Sequence, residues 1–152
     1  MIQIEKNTVI NRSVRDVFAY VSDVENEPEW IGEVMEVKKT SVGPIGVGST
    51  YDNYVHFLGR RIVDPHEVVR FEPNRQFSFK SHSGQITFEG TYHFEPAGDK
   101  ATRLRFVATG QTGTLFKLAE PIVNRMINRQ WEANVANLKE LLEAQEASHE
   151  PA

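Results

Sequence analysis

The chain has 152 residues, 39% of them hydrophobic and 25% charged, with a formal net charge of -4 and no cysteine. That size fits one domain able to bury a substantial core, and no apolar run is long enough to span a bilayer. Disulfides, thiolate nucleophiles and cysteine-ligated metals are excluded outright, and the acidic balance argues against nucleic acid or an anionic membrane as a partner.

The first ten residues, MIQIEKNTVI, lack the charged start, apolar stretch and cleavage site of a signal peptide, so a cytoplasmic location is expected. They read instead as a strand ending near Asn11. Ser13 and Asp16 have the spacing of a helix N-cap followed by an acidic first turn, and Val14, Val17, Phe18 and Val21 recur at helical intervals. Asp23 can cap a second short turn, DVENEPEW, which tucks Trp30 inward.

From Glu33 to Gln111 the pattern changes to period two. VMEVKKTSV and TYDNYVHFL read as strands joined by the glycine-rich GPIGVGS. Gly59 and Arg60 form a tight turn into RIVDPHEVVRFEP, where Pro65 demands an edge or a bulge. RQFSFKSH, QITFEGTYHFEP and ATRLRFVATG complete a meander of six antiparallel strands. A long helix, from about residue 114 to 146, closes the chain with Pro121 near its start, and residues 147–152 form a polar tail expected to be flexible.

That helix raises a question. At about 100° per residue, Val123, Ile127, Trp131, Leu138 and Leu141 share one apolar face, with Gln130 and Asn134 in its middle. A buried amide must be satisfied by protein, by water or by a ligand, because leaving it unpaired costs about 1–3 kcal/mol.

The candidate chemistry is sparse. Of the histidines, His82 and His149 fall in a turn and the tail, and none of His56, His66 and His93 has metal-ligand spacing, so no metal or other cofactor is expected. A Gly59-Arg60 turn would place Asn53, not His56, opposite His66. Asp64 with His66, and Glu89 with His93, could serve as acid/base pairs. The apolar alternation of Ile86, Phe88, Tyr92 and Phe94 turns Glu89 and His93 toward solvent, however, and Arg103 and Arg105 read the same way. There is no nucleophile elbow, phosphate loop or dinucleotide fingerprint.

The order of elements, together with INRSVRDVFAYVSDVENEPEWIGEV at residues 10–34, GPIGVGSTY, VVRFEPNRQFSF and TRLRF before the last helix, resembles the START-like, helix-grip superfamily. Within it the sequence is most similar to the polyketide cyclase/dehydrase and lipid-transport family. The resemblance covers nearly the whole chain. It implies an α+β fold, a curved antiparallel sheet of about seven strands wrapped around the C-terminal helix. It also implies a deep cavity for a hydrophobic or amphipathic ligand, with the GPIGVGS loop expected over its mouth. On that reading Gln130 and Asn134 face the ligand, Tyr51, Tyr54 and Tyr92 orient it, and Trp30, Phe79, Phe88 and Trp131 wall the cavity. An enzyme of the cyclase/dehydratase kind, with a tyrosine polarising an enolising ketone, is the alternative, and a co-chaperone-like interaction module is a third. Whether a reaction occurs, and whether the protein is a monomer or a dimer, is left open by the sequence.

Overall fold

The computed structural model describes residues 1–81 and 86–149, and the side chains of all of these except 86, 115, 116 and 146–149. The expected turn at 82–85, with His82, and the last three residues lie outside that set. Strand β1 (Ile2–Ile10) leads into helix α1 (Val14–Ser22), a 3-10 turn (Val24–Asn26) and the short α2 (Glu27–Trp30). Strands β2 (Val34–Lys39), β3 (Thr50–Phe57), β4 (Arg60–Glu72), β5 (Gln76–Ser81), β6 (Ile86–Pro96) and β7 (Thr102–Thr112) follow. A 3-10 segment (Thr114–Ala119) then precedes the long helix α3 (Glu120–His149), so the expected single helix is split just ahead of Pro121. The Ser13 side chain accepts from the Asp16 amide at 3.2 Å, and the Asp23 carboxylate caps the 3-10 turn at Glu25, as the spacing indicates.

All strand pairs are antiparallel and give one seven-stranded sheet in the order β1-β7-β6-β5-β4-β3-β2. Strands β2 to β7 form the expected meander, and β1 closes onto β7. Alternation selects the concave face: Thr102, Leu104, Phe106 and Ala108 of β7 are buried while Arg103 and Arg105, which alternate with them, are exposed. Glycine makes room where rings crowd this face, since a Cβ on Gly90 would stand 2.8 Å from the Phe79 ring.

Helix α3 lies along β1, whose outer edge would otherwise offer unpaired backbone groups. Asn124 accepts from the Gln3 amide at 3.1 Å, Asn128 donates to the Gln3 carbonyl at 2.9 Å, and Lys139 donates to the Val9 carbonyl at 2.6 Å. The polar side of the helix therefore seals a sheet edge while Val123, Ile127, Leu138 and Leu142 enter the core.

Three local expectations are corrected. The β3–β4 turn is Leu58–Gly59, with φ of 51° and 76°, and Phe57 pairs with Arg60. Positive φ at both central residues is what a two-residue hairpin needs, and the shift of one residue sets Tyr51, rather than Asn53, opposite His66. Pro65 pairs in register with Asp52, and the bulge in β4 falls at Val68/Arg70 rather than at the proline. Finally, GPIGVGS docks by backbone bonds from Gly48 to Val68 and from Val68 to Ser49, and none of its residues lines the cavity. Among the described residues no helix is long and apolar enough to cross a membrane.

Candidate functional site

Between the concave sheet and α3 lies a cavity of about 140 Å³. Aromatic and aliphatic side chains supply most of its wall: Phe57 and Ile62 from the β3–β4 hairpin, Phe79, Phe88, Tyr92 and Phe106 from the middle strands, and Ile127 and Trp131 from the helix. The rings form a continuous stack. Trp131 lies 4.1 Å from Phe106 between centroids, Phe106 lies 4.6 Å from Tyr92, and Phe79 stacks on the His66 imidazole at 5.0 Å. Such offset contacts hold the wall rigid beyond the area they bury.

One part of the wall is polar, and the sheet register explains why. Asn53 stands opposite Asp64, Tyr51 opposite His66, and His66 opposite Ser81, so three neighbouring strands bring their polar residues side by side. The imidazole is held on both nitrogens, by the Asp64 carboxylate at 2.8 Å and by the Tyr51 hydroxyl at 3.3 Å, and Ser81 donates to Asp64 at 2.5 Å. Above them α2 inserts Glu27, only 4% exposed, whose carboxylate accepts from the Asn53 amide at 3.1 Å. Burial pushes the Glu27 carboxyl up to about 7, against the lowering effects of His66 and of the Asn53 hydrogen bond. Burial also raises Tyr51 and Tyr92, with Glu27 adding to both, so these phenols stay protonated hydrogen-bond donors. A carboxyl that titrates near neutrality in an apolar cavity is suited to holding or exchanging a proton.

The expected site residues divide. Gln130, Trp131, Tyr92, Phe79 and Phe88 line the cavity. Trp30 and Tyr51 are buried behind the lining: Trp30 meets Tyr92 and Trp131 edge-on at 6.1 and 6.0 Å, and Tyr51 reaches the cavity only through His66. Tyr54 belongs to the opposite face, with Lys38 and Arg61 over its ring at 5.3 and 5.1 Å, because it has the opposite strand parity to Tyr51 and Asn53. Asn134 is also corrected. It is 2% exposed, accepts from the Gly32 amide at 3.1 Å and donates to Glu33 at 2.8 Å, so protein groups satisfy it completely enough that no ligand is required.

Asn134 thus ties α3 to the segment after α2 and holds Glu33, itself a wall residue. Asn134→Leu is expected to cost about 1–3 kcal/mol, read from the midpoint of urea unfolding, by stranding both partners. Unchanged stability would show that those bonds contribute nothing net.

Sequence reasoning missed Glu27, Asn53 and the inward orientation of His66 as parts of the cavity wall. A signal for Glu27 exists: Val24, Glu27, Trp30 and Ile31 have one-face helical spacing, which sets a carboxylate among apolar neighbours. His93 and Glu89 lie outside the cavity, and the side chain of His149 is outside the described set. Among the described residues no cluster of three or more histidine or carboxylate groups could hold a metal ion.

A family model described as polyketide cyclase / dehydrase and lipid transport matches residues 1–143. No curated protein sequence matches the chain. Among solved structures, the protein TTHA0849 from Thermus thermophilus is 18% identical with a TM-score of 0.79, over 94% of this chain and 98% of that one. The Zhui aromatase/cyclase from a Streptomyces species is 13% identical with a TM-score of 0.79, over 93% of each chain. A START superfamily protein from Mycobacterium smegmatis is 18% identical with a TM-score of 0.73, over 95% of this chain and 97% of that one. At these identities the likeness establishes the helix-grip fold and no shared activity.

Proposed function

Because the chain belongs to the polyketide cyclase/dehydrase and lipid transport family, we propose that it is a cytoplasmic protein that binds a small hydrophobic or amphipathic molecule between the sheet and α3. The observation that carries this reading is the union of a stacked aromatic wall with one polar corner, built from Glu27, Asn53, Asp64 and His66. An apolar body would be held by the rings and oriented by the corner, with Gln130 and Tyr92 as further polar contacts. Size narrows the ligand. A dry protein cavity of about 150 Å³ takes benzene, so the part held inside is one ring or a short chain rather than a two-tailed lipid.

A cyclase-type enzyme using the same cavity is the second reading, favoured by the carboxyl of Glu27 and the Asp64–His66 pair facing one space. The interaction-module reading has less support, because charged side chains break up the outer sheet face: Arg105 pairs with Glu5 at 2.8 Å and Arg103 with Glu95 at 3.7 Å.

Thermal unfolding with and without single-ring and short-chain probes tests the binding reading. A ligand that binds only the folded state at a hundred times its Kd adds about 2.7 kcal/mol. Ethylbenzene or 2-phenylethanol is expected to raise Tm for the wild type and not for Ala108→Leu, which fills the wall beside Phe106. No rise in the wild type with any probe at millimolar concentration would contradict binding.

A further inference from the structure

The polar corner has a sign. Among the described residues that line the cavity there are three carboxylates, Glu27, Glu33 and Asp64, and no lysine or arginine. Two histidines line it as well: His66 has both ring nitrogens engaged, by Asp64 and by Tyr51, and is not free to receive an anion, while His56 is exposed and has the opposite strand parity to Asn53, away from the polar corner. Asn53 supplies a second and independent feature. Its side chain is 3% exposed, its amide nitrogen is committed to Glu27, and its Oδ1 has no hydrogen-bond partner. A buried carbonyl oxygen without a donor is an unfilled half of a hydrogen bond, and it belongs to a residue that lines a cavity large enough for a ligand.

We infer that the cavity selects ligands whose polar end donates hydrogen bonds and carries no negative charge, an alcohol, phenol or amine on a single-ring or short apolar body, and rejects carboxylates. The donor pairs with Asn53 Oδ1 and the neighbouring Glu27 carboxyl. A carboxylate at the same position finds no lysine or arginine, meets three acidic side chains, and leaves Asn53 Oδ1 unpaired. This deepens the binding reading and rests on it: the apolar wall gives affinity, and the corner decides which head group enters.

Four probes with one benzyl body separate the possibilities: 2-phenylethanol, 2-phenylethylammonium, phenylacetate and ethylbenzene. Dissociation constants at pH 7.5 are expected to be at least tenfold lower for the alcohol or the ammonium than for phenylacetate. The alcohol should bind at least as tightly as ethylbenzene, despite the cost of stripping water from its hydroxyl. Glu27→Gln keeps the shape of the side chain and an oxygen to accept from Asn53, but removes the charge. In that variant the ratio between ammonium and phenylacetate should narrow at least fivefold. Phenylacetate binding as tightly as the alcohol and the ammonium would overturn the selectivity. So would four affinities within threefold of one another, although ethylbenzene binding would then still uphold the cavity as a ligand site. Failure of all four probes, ethylbenzene included, would defeat both.

Discussion

Glu27→Gln is expected to stabilise the protein by about 3 kcal/mol above pH 8, where the wild type must keep a carboxylate in an apolar wall, and to change its stability little below pH 4. The direction follows from the buried carboxyl being raised from 4.5 to about 7 in the folded protein. An acid raised in this way binds its proton more tightly when folded than when unfolded. Its contribution is therefore fully present below the unfolded value and is lost as pH rises through the folded one. The groups that set this balance are His66 and Asn53, which favour the ionised form, and Asp64, which disfavours it, with the Tyr51 and Tyr92 phenols also coupled to Glu27. The difference between variant and wild type should open between about pH 4.5 and 7 and then level off, measured by urea unfolding across that range. A difference independent of pH would mean that Glu27 titrates normally and that the corner is wetter than its burial indicates.

Phe106→Ala carries the largest expected loss, about 3–5 kcal/mol, the range for removing a fully buried phenylalanine. Phe106 is 1% exposed and joins the helix to the sheet, stacking on Trp131 at 4.1 Å and on Tyr92 at 4.6 Å. Because the same ring lines the cavity, its removal also enlarges the binding space. Naphthalene, too large for the wild-type cavity, is then expected to raise the Tm of Phe106→Ala and leave that of the wild type unchanged. A loss below about 1 kcal/mol would mean that neighbouring rings collapse into the space, and a naphthalene response in the wild type would mean that the cavity expands without mutation.

The fold was legible because two periods carry it. Apolar alternation marked the strands, helical spacing marked α1 and α3, and the Ser13 and Asp23 caps sit where short polar residues precede apolar repeats. The candidate site was only half legible, and each miss has a local cause. A glycine announces a turn without saying which of its positions it fills: Leu58 takes the other positive-φ place, and the one-residue difference exchanged the partner of His66. Tyr51 and Tyr54 could not both face inward from one regular strand, a constraint present in their odd and even spacing.

The two amides of α3 had different fates, although they lie four residues apart. Asn134 faces the Gly32–Glu33 backbone and side chain, which satisfy it; Gln130, one helical turn earlier, reaches the cavity. Helical spacing defines a face, and what covers each part of that face depends on chain segments more than a hundred residues away. Glu27 was obscured for the opposite reason. In a four-residue helix a first-turn acid looks like an ordinary response to the helix dipole, and only the packing of α2 against β2 and α3, with Glu27 reaching Asn53 of β3, makes it a cavity group.

Whether the ligand sits in the space between sheet and α3 is read by a two-dimensional NMR titration with 2-phenylethanol that follows the Trp131 indole and the Gln130 side-chain amide. Both line the cavity, whereas Tyr54, with Lys38 and Arg61 against it, reports on the outer face. Binding in this space gives saturable shifts at Trp131 and Gln130 with one common Kd and none around Tyr54. Shifts confined to the Tyr54 face, or no saturable shift at either cavity residue, would contradict it.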